Sequence, residues 1–161
     1  MDKDTTQKEY EHECRIRDCF AKNLFDLRPN ERLIATESVY EGTGTRVDMR
    51  TVDKFNVLRE WEFKIEAGYT ALGQIITYLA MARIRDNFRN RIAGVIAAFD
   101  FHPELARVIE VMNLGIELVT IPQWMARAGR VPLALDFPHR NVAAVPTIIP
   151  IDRYLKGERN V

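Results

Sequence analysis

Cysteine is nearly absent from this chain. Cys14 and Cys19 are the only two among 161 residues, too few and too close for a disulfide framework. Five positions apart on a helix they point to different faces, which leaves two small buried or half-buried thiols in a reducing compartment. Long hydrophobic runs are also missing, and none reaches the length needed to cross a bilayer. The opening Met1-Asp2-Lys3-Asp4 is polar and carries no signal-like apolar stretch. These absences exclude a membrane span and predict a soluble cytoplasmic protein. Only three histidines occur, His12, His102 and His139, and none has zinc-ligand spacing. Net charge is missing too: 23 basic and 23 acidic residues cancel. A strongly basic nucleic-acid binder is thereby disfavoured, although a basic groove opposite an acidic site remains open. Within the basic set lysine is scarce, six against seventeen arginines. No repeat and no low-complexity tract interrupts the chain.

What is present is ordinary globular composition, 47% hydrophobic and 29% charged, enough for one compact domain over 1–161. Helical spacing of Tyr10, Cys14, Ile16, Phe20, Leu24 and Leu27 predicts a helix over 5–27, stopped by Pro29. Three strands follow, over 32–40, about 45–52 and about 57–66, separated by Gly42-Thr43-Gly44 and by 53–56. A helix runs from Gly68 to about Asn87 with Leu72, Ile75, Ile76, Leu79 and Ala80 as its buried stripe. The apolar run 92–99 suits a strand buried on both faces. A helix from Pro103 to about Asn113, a strand over 116–121 and a short helix over 123–130 complete the pattern. The order α-β-β-β-α-β-α-β predicts an α/β fold, a mixed sheet of about five strands flanked by helices. Residues 131–161 hold Pro132, Pro138, Pro146 and Pro150. Their apolar stretch 145–151 is read either as an edge strand or as part of a subunit contact, and a homodimer using 131–151 is the expectation.

Chemistry concentrates at Trp61-Glu62-Phe63-Lys64-Ile65. Alternation makes it a strand, with Glu62 and Lys64 on one face and Trp61, Phe63 and Ile65 on the other. Arg46-Val47-Asp48-Met49 alternates likewise and offers Asp48, with Val47 and Met49 on the opposite face. Two acids and a lysine on neighbouring strands suit a hard cation and a water beside a phosphate, which points to phosphodiester hydrolysis. Acid-x-Lys alone is a weak signal that most often marks solvated charge. Gln74 and Tyr78 are i, i+4 neighbours on the following helix, where the plainer readings are a solvated glutamine and a core tyrosine. On the first helix Glu9, Glu11 and Glu13 compete, and periodicity does not choose among them. Arg83, Arg85, Arg89 and Arg91 read either as phosphate contacts or, slightly better, as charge complementing a helix C-terminus.

Taken in order, Glu13, Asp48, Glu62-Phe63-Lys64 and Gln74 resemble the PD-(D/E)XK nuclease superfamily, and more closely the catalytic domain of NucS-type DNA endonucleases. Glu13 with Asn23-Leu24 ten residues on is similar to that group's opening helix. Glu37 with Thr45-Arg46-Val47-Asp48 is similar to its next block, and Gly73-Gln74-Ile75-Ile76-Thr77-Tyr78 resembles its Gln-x-x-x-Tyr helix. Gly94-Val95-Ile96-Ala97, His102-Pro103-Glu104-Leu105-Ala106 and Gly115-Ile116-Glu117-Leu118-Val119 resemble its later strand, helix and strand. The likeness covers about 9–121 and fixes the choice of Glu13. It implies a restriction-endonuclease-like core and a metal-dependent DNA endonuclease. By this resemblance Asp48, Glu62 and the backbone carbonyl of Phe63 would hold Mg2+ or Mn2+, with Glu13 on a metal-bound water or second ion. Lys64 would act on the attacking water or on phosphate charge, and Gln74 would position water or DNA. The amino-terminal DNA-binding and dimerisation domain of NucS-type enzymes has no counterpart here, and 122–161 match nothing in the family. A non-cleaving DNA-binding or assembly protein on the same fold is the alternative.

Overall fold

The computed structural model describes residues 3–128. The edge-strand and dimer expectations for 131–161 lie outside the described residues. Helix α1 spans Lys3–Lys22 and a single turn, α2, spans Leu24–Leu27. The one helix expected over 5–27 is therefore broken at Asn23. Its side-chain Nδ2 donates to the Cys19 carbonyl at 2.8 Å, beside its own backbone N–H at 3.2 Å. A side-chain amide that competes locally for helix carbonyls weakens helix continuation.

Three strands follow as an antiparallel meander: β1 (Glu31–Val39), β2 (Arg46–Asp53) and β3 (Leu58–Ala67). Helix α3 (Tyr69–Arg85), strand β4 (Ile92–Phe101), helix α4 (Leu105–Val111) and strand β5 (Ile116–Thr120) come next, then a 3-10 turn over Gln123–Arg127. The five strands lie in sequence order, β1-β2-β3-β4-β5, with β3, β4 and β5 parallel. Parallel neighbours need crossovers, and α3 and α4 supply them. Most sequence-based element bounds are off by one or two residues, as capping ambiguity makes normal, while the short helix expected over 123–130 is a 3-10 turn that ends at Arg127.

Strand β4 shows why the sheet is covered on both faces. Ile96 and Ala98 belong to a core with Leu72, Ile75 and Leu79 of α3 and with Leu105 and Ile109 of α4. Val95 and Ala97, of opposite parity, join Ile16, Phe20, Leu24 and Leu27 from α1 and α2, together with Trp61, Phe63 and Met125. The expected burial of 94–99 holds from Gly94 to Ala98, and Phe99 is half-buried. At Gly94 a Cβ would lie 2.9 Å from Ile75 Cγ1 and 3.1 Å from Ile116 Cγ1. The missing side chain is what lets α3 sit this close to the sheet.

Several sequence-based placements change. In α3 the buried stripe is Ala71, Leu72, Ile75, Tyr78, Leu79 and Ala82, whereas Ile76 and Ala80 are exposed. The helix touches the sheet along a narrower face than its apolar content indicates. Tyr10, 36% exposed, stands outside the α1 stripe, and Ile65, 37% exposed, lies past the end of the Trp61–Phe63 core. Val47 and Met49 do not share a core: Val47 packs with Tyr40 and Ala67, and Met49 packs with Trp61. The β2–β3 register runs only from Val52↔Leu58 to Met49↔Trp61. Beyond it the Asp48 carboxylate, rather than a backbone carbonyl, accepts the Phe63 N–H at 2.8 Å. The strands part at Asp48, and Val47 packs on the α3 side.

Candidate active site

That parting makes a cleft of about 800 Å³, lined by Glu13 and Arg17 of α1, Arg46 and Asp48 of β2, Glu62 and Lys64 of β3, and Thr70, Gly73, Gln74, Thr77 and Tyr78 of α3. All five side chains singled out in the sequence, Glu13, Asp48, Glu62, Lys64 and Gln74, border it. Parity places Glu62, in register with Ile96, on the α3 face of the sheet. Glu62 is 1% exposed. Its Oε2 accepts from the Tyr78 hydroxyl at 2.7 Å, and its Oε1 lies 2.7 Å from Lys64 Nζ. Lys64 reaches past the strand to Glu13 Oε2 at 3.2 Å. A residue on α1, across the sheet from α3, thus meets β3 through the gap opened at Asp48.

Trp61 and Phe63 hold this strand from behind. Their rings stack with centroids 5.9 Å apart, and Phe20 of α1 packs against both at 5.4 Å. Trp61 Nε1 donates to Thr51 Oγ1 at 2.9 Å. Fully burying an aromatic of this kind contributes roughly 1.5–3 kcal/mol. The strand that carries the acids is therefore anchored by its opposite face.

Burial raises the Glu62 carboxyl to about 7, and the neighbouring Asp48 charge adds to the rise. Burial also raises Asp48, against the Phe63 N–H and Lys64, which oppose it. Glu13 is raised by burial as well, with Lys64 opposing. Desolvation works to lower the Lys64 ammonium, but Glu62 and Glu13 more than compensate and its pKa is raised. Lys64 is a persistent cation rather than a reserve of neutral amine. Tyr78 is held protonated by burial and by Glu62, so its hydroxyl stays a donor. Burial raises the Cys14 thiol too, which removes it as a nucleophile at neutral pH.

The donors on offer for a metal are hard oxygens. Among the described residues no group of three or more His, Cys, Asp and Glu side chains converges on one point. Glu13 is tied to Lys64 instead of standing with the other two acids. Asp48 and Glu62 remain as a desolvated pair whose charges oppose each other. Two carboxylates with room for retained waters fit Mg2+ or Mn2+, which dehydrate reluctantly; they do not fit an all-protein cage.

The sequence reading missed residues around this pair. Glu60, 1% exposed, shares parity with Glu62 and Lys64 and lies in register with Gly94. That parity was a usable signal. It is bound by Arg50 and Tyr40. Arg17 is buried at the cleft wall, donating to Asp18 at 2.8 Å and to Glu37 at 3.0 Å. Glu37 holds a left-handed backbone, φ 53°, which is uncommon for a non-glycine residue. Arg83 and Arg85 sit in the last turn of α3, and Arg85 stacks over Tyr40 at 5.7 Å.

Sheet order, crossovers and cleft define a restriction-endonuclease-like core, and the fold is nuclease-like. Solved structures with this fold include an EndoMS–dsDNA2 complex, at 18% identity and TM-score 0.55 over 68% of this chain and 44% of that one. A repair endonuclease from Pyrococcus abyssi matches at 18% identity and TM-score 0.55, over 67% of this chain and 46% of that one. EndoMS in its apo form matches at 17% identity and TM-score 0.53, over 69% and 47%. This chain covers less than half the length of each. No family model matches the chain, and no curated protein matches it by sequence. Among the described residues no helix is long and apolar enough to cross a membrane.

Proposed function

We propose that this chain is a metal-dependent DNA endonuclease that hydrolyses phosphodiester bonds, of PD-(D/E)XK type. The observation that carries the reading is Lys64 Nζ, held 2.7 Å from Glu62 and 3.2 Å from Glu13 in the cleft that Asp48 opens. A half-buried cation held by an acid of its own strand and one of α1, beside the Asp48 carboxylate of the neighbouring strand, suits phosphodiester hydrolysis. Solved structures with this fold include a DNA complex of EndoMS and a repair endonuclease, which supports DNA as the substrate. Asp48, Glu62 and the Phe63 carbonyl would hold Mg2+ or Mn2+, and Glu13 would take a water on that ion. The ion would supply Lewis acidity and lower the pKa of water. Lys64, kept charged by its two acids, would neutralise charge building on the phosphate. Gln74 would hold water or substrate backbone, and the Tyr78 hydroxyl would fix the Glu62 carboxylate. Incubating the protein with single-stranded, duplex, flap, mismatched and junction DNA is expected to give cuts with Mg2+ or Mn2+ and none with EDTA. Binding to the panel without any cut, at any metal concentration, would make it the non-cleaving DNA-binding protein instead.

A second expectation concerns pH. In the absence of metal the folded state holds the Glu62 proton more tightly than the unfolded chain, whose carboxyl sits near 4.5. That contribution to stability is full below about 4.5 and is lost as pH rises through about 7. A cation takes the deprotonated acid, so binding releases a proton. Mn2+ affinity is expected to rise by up to about tenfold per pH unit below 7 and to level off above it. Calorimetric titration at several pH values measures this. An affinity flat across that range removes Glu62 from the ligand set.

A further inference from the structure

Tyr10 stands outside the buried stripe of α1, yet its ring is occupied. The Arg46 guanidinium lies over it, 5.2 Å from the centroid, and Arg46 Nη2 donates to the Tyr10 hydroxyl oxygen. An aromatic face beneath a guanidinium fixes its plane. Tyr10, Glu13 and Arg17 are three and four residues apart on α1, a spacing that puts them on one face. All three line the cleft. Arg46 of β2 meets this row at its Tyr10 end.

Glu37 of β1 backs the same arginine from the other side. Its left-handed backbone, φ 53°, is strain of the kind that gathers at functional sites. Glu37 Oε1 accepts from Arg17 Nη1 at 3.0 Å and stands 3.8 Å from Arg46 Nη1. The first contact is a hydrogen bond and the second is too long for one. Three cations line the cleft: Arg17, Arg46 and Lys64. Arg17 is 5% exposed and bonded to Asp18 and Glu37. Lys64 sits between Glu62 and Glu13. Arg46 differs from both. Its side chain is 45% exposed, and among the described residues its hydrogen-bond partner is a neutral hydroxyl rather than a carboxylate. It is a cation fixed in place whose charge is still available.

We propose that Arg46 is the anchor for a phosphate next to the scissile one in the strand being cut, with Tyr10 and the Arg17–Glu37 pair as the residues that position it. The inference rests on the nuclease reading above and adds a binding subsite to it. Arg46 lies two residues before Asp48 on β2, roughly 7 Å along the strand. That displacement takes its contact off the phosphate at the acids and onto a neighbouring one. A planar guanidinium offers paired N–H groups that match two phosphate oxygens, which an ammonium does not. The chain has no net positive charge, so phosphate contacts fall to a few fixed cations rather than to a broad basic surface.

The test uses the oligonucleotide of the panel above that the wild type cuts, with its cut position mapped. Single phosphates on either side of the cut are replaced in turn by uncharged methylphosphonates, and KM and kcat are measured with Mg2+ at several salt concentrations. Arg46→Gln is expected to raise KM about tenfold or more, with a smaller change in kcat, and to reduce the slope of affinity against salt by about one unit. Arg46→Lys is expected to keep that slope and recover only part of the affinity. Tyr10→Leu is expected to raise KM less than Arg46→Gln, and Tyr10→Phe, which keeps the ring, to recover most of that loss. One methylphosphonate next to the cut is expected to impair the wild type as Arg46→Gln does and to cost the Arg46→Gln protein nothing more, the coupling that defines a direct contact. A folded Arg46→Gln protein with wild-type KM and salt slope overturns the subsite alone. So does an Arg46→Gln defect that persists undiminished on every methylphosphonate strand, because the arginine then acts through the fold. A wild type that neither binds nor cuts any DNA overturns the nuclease reading and the subsite together.

Discussion

Lys64→Ala is expected to lower the rate of metal-dependent DNA cleavage by on the order of 10²–10³, the usual cost of removing one preorganised charge from a developing transition state. The lysine side chain is partly buried between Glu62 and Glu13, and no other described cation lies within ion-pair distance of either acid. Its loss leaves three raised carboxyls around one cleft, with Glu62 and Glu13 stripped of their ion-pair partner. Asp48→Asn is the companion variant. An asparagine oxygen can still accept the Phe63 N–H that the carboxylate accepts at 2.8 Å, so the parting of β2 and β3 is kept while the ligand charge is removed. It is expected to fall at least as far. Circular dichroism and a thermal melt show that both variants fold, and cleavage of a labelled strand with Mg2+ gives the rate. Folded variants that cut as fast as the wild type would move the activity to another site.

The residues of this site were legible in the sequence to an uneven degree. Glu62 and Lys64 announce themselves, because strand parity alone puts them on one face and the tertiary structure only brings Nζ to 2.7 Å from the carboxylate. Asp48 lies on the strand that alternation predicts, but the alternation does not hold around it. Val47 and Met49 part company there, because the carboxylate itself interrupts the ladder. Glu13 was chosen by resemblance, and its contact with Lys64 spans 51 residues; no periodicity carries information over that distance. The order of elements and the sheet were readable because the strand segments, alternating or continuously apolar, differ from the helical spacing of α1 and α3 and are separated by turn residues. The Asn23 break was not, since it depends on one amide turning back on its own helix. The exposure of Ile76 and Ile65 was also hidden. Apolar character says that a residue can be buried, and only the partner surface says whether it is.

The charged cluster beside the site is expected to matter for stability more than for chemistry. Arg50 donates through Nε to Glu60 Oε1 at 2.8 Å and through Nη2 to the Tyr40 hydroxyl at 2.8 Å. Tyr40 donates in turn to Glu60 Oε1 at 3.0 Å. Arg50 lies on β2, Glu60 on β3 and Tyr40 directly after the end of β1, so one buried triangle ties the meander together two residues ahead of Glu62. Burial and the Glu60 charge push the tyrosine up to about 12, so it remains a donor at any working pH. Taking Arg50 away leaves the Glu60 carboxylate, 1% exposed, with the tyrosine alone. Breaking a buried pair in this way typically costs about 3–5 kcal/mol, against a total of about 5–15 kcal/mol for a domain. Arg50→Ala is therefore expected to lower the urea midpoint steeply and to approach global unfolding. Replacing both charges at once, as Arg50→Met with Glu60→Met, is expected to recover most of the loss, because no charge is then left unpaired. Urea unfolding of the two single variants and the double variant gives the coupling directly. An Arg50→Ala protein within about 1 kcal/mol of wild type would mean that water reaches Glu60 and that the triangle does not hold the meander.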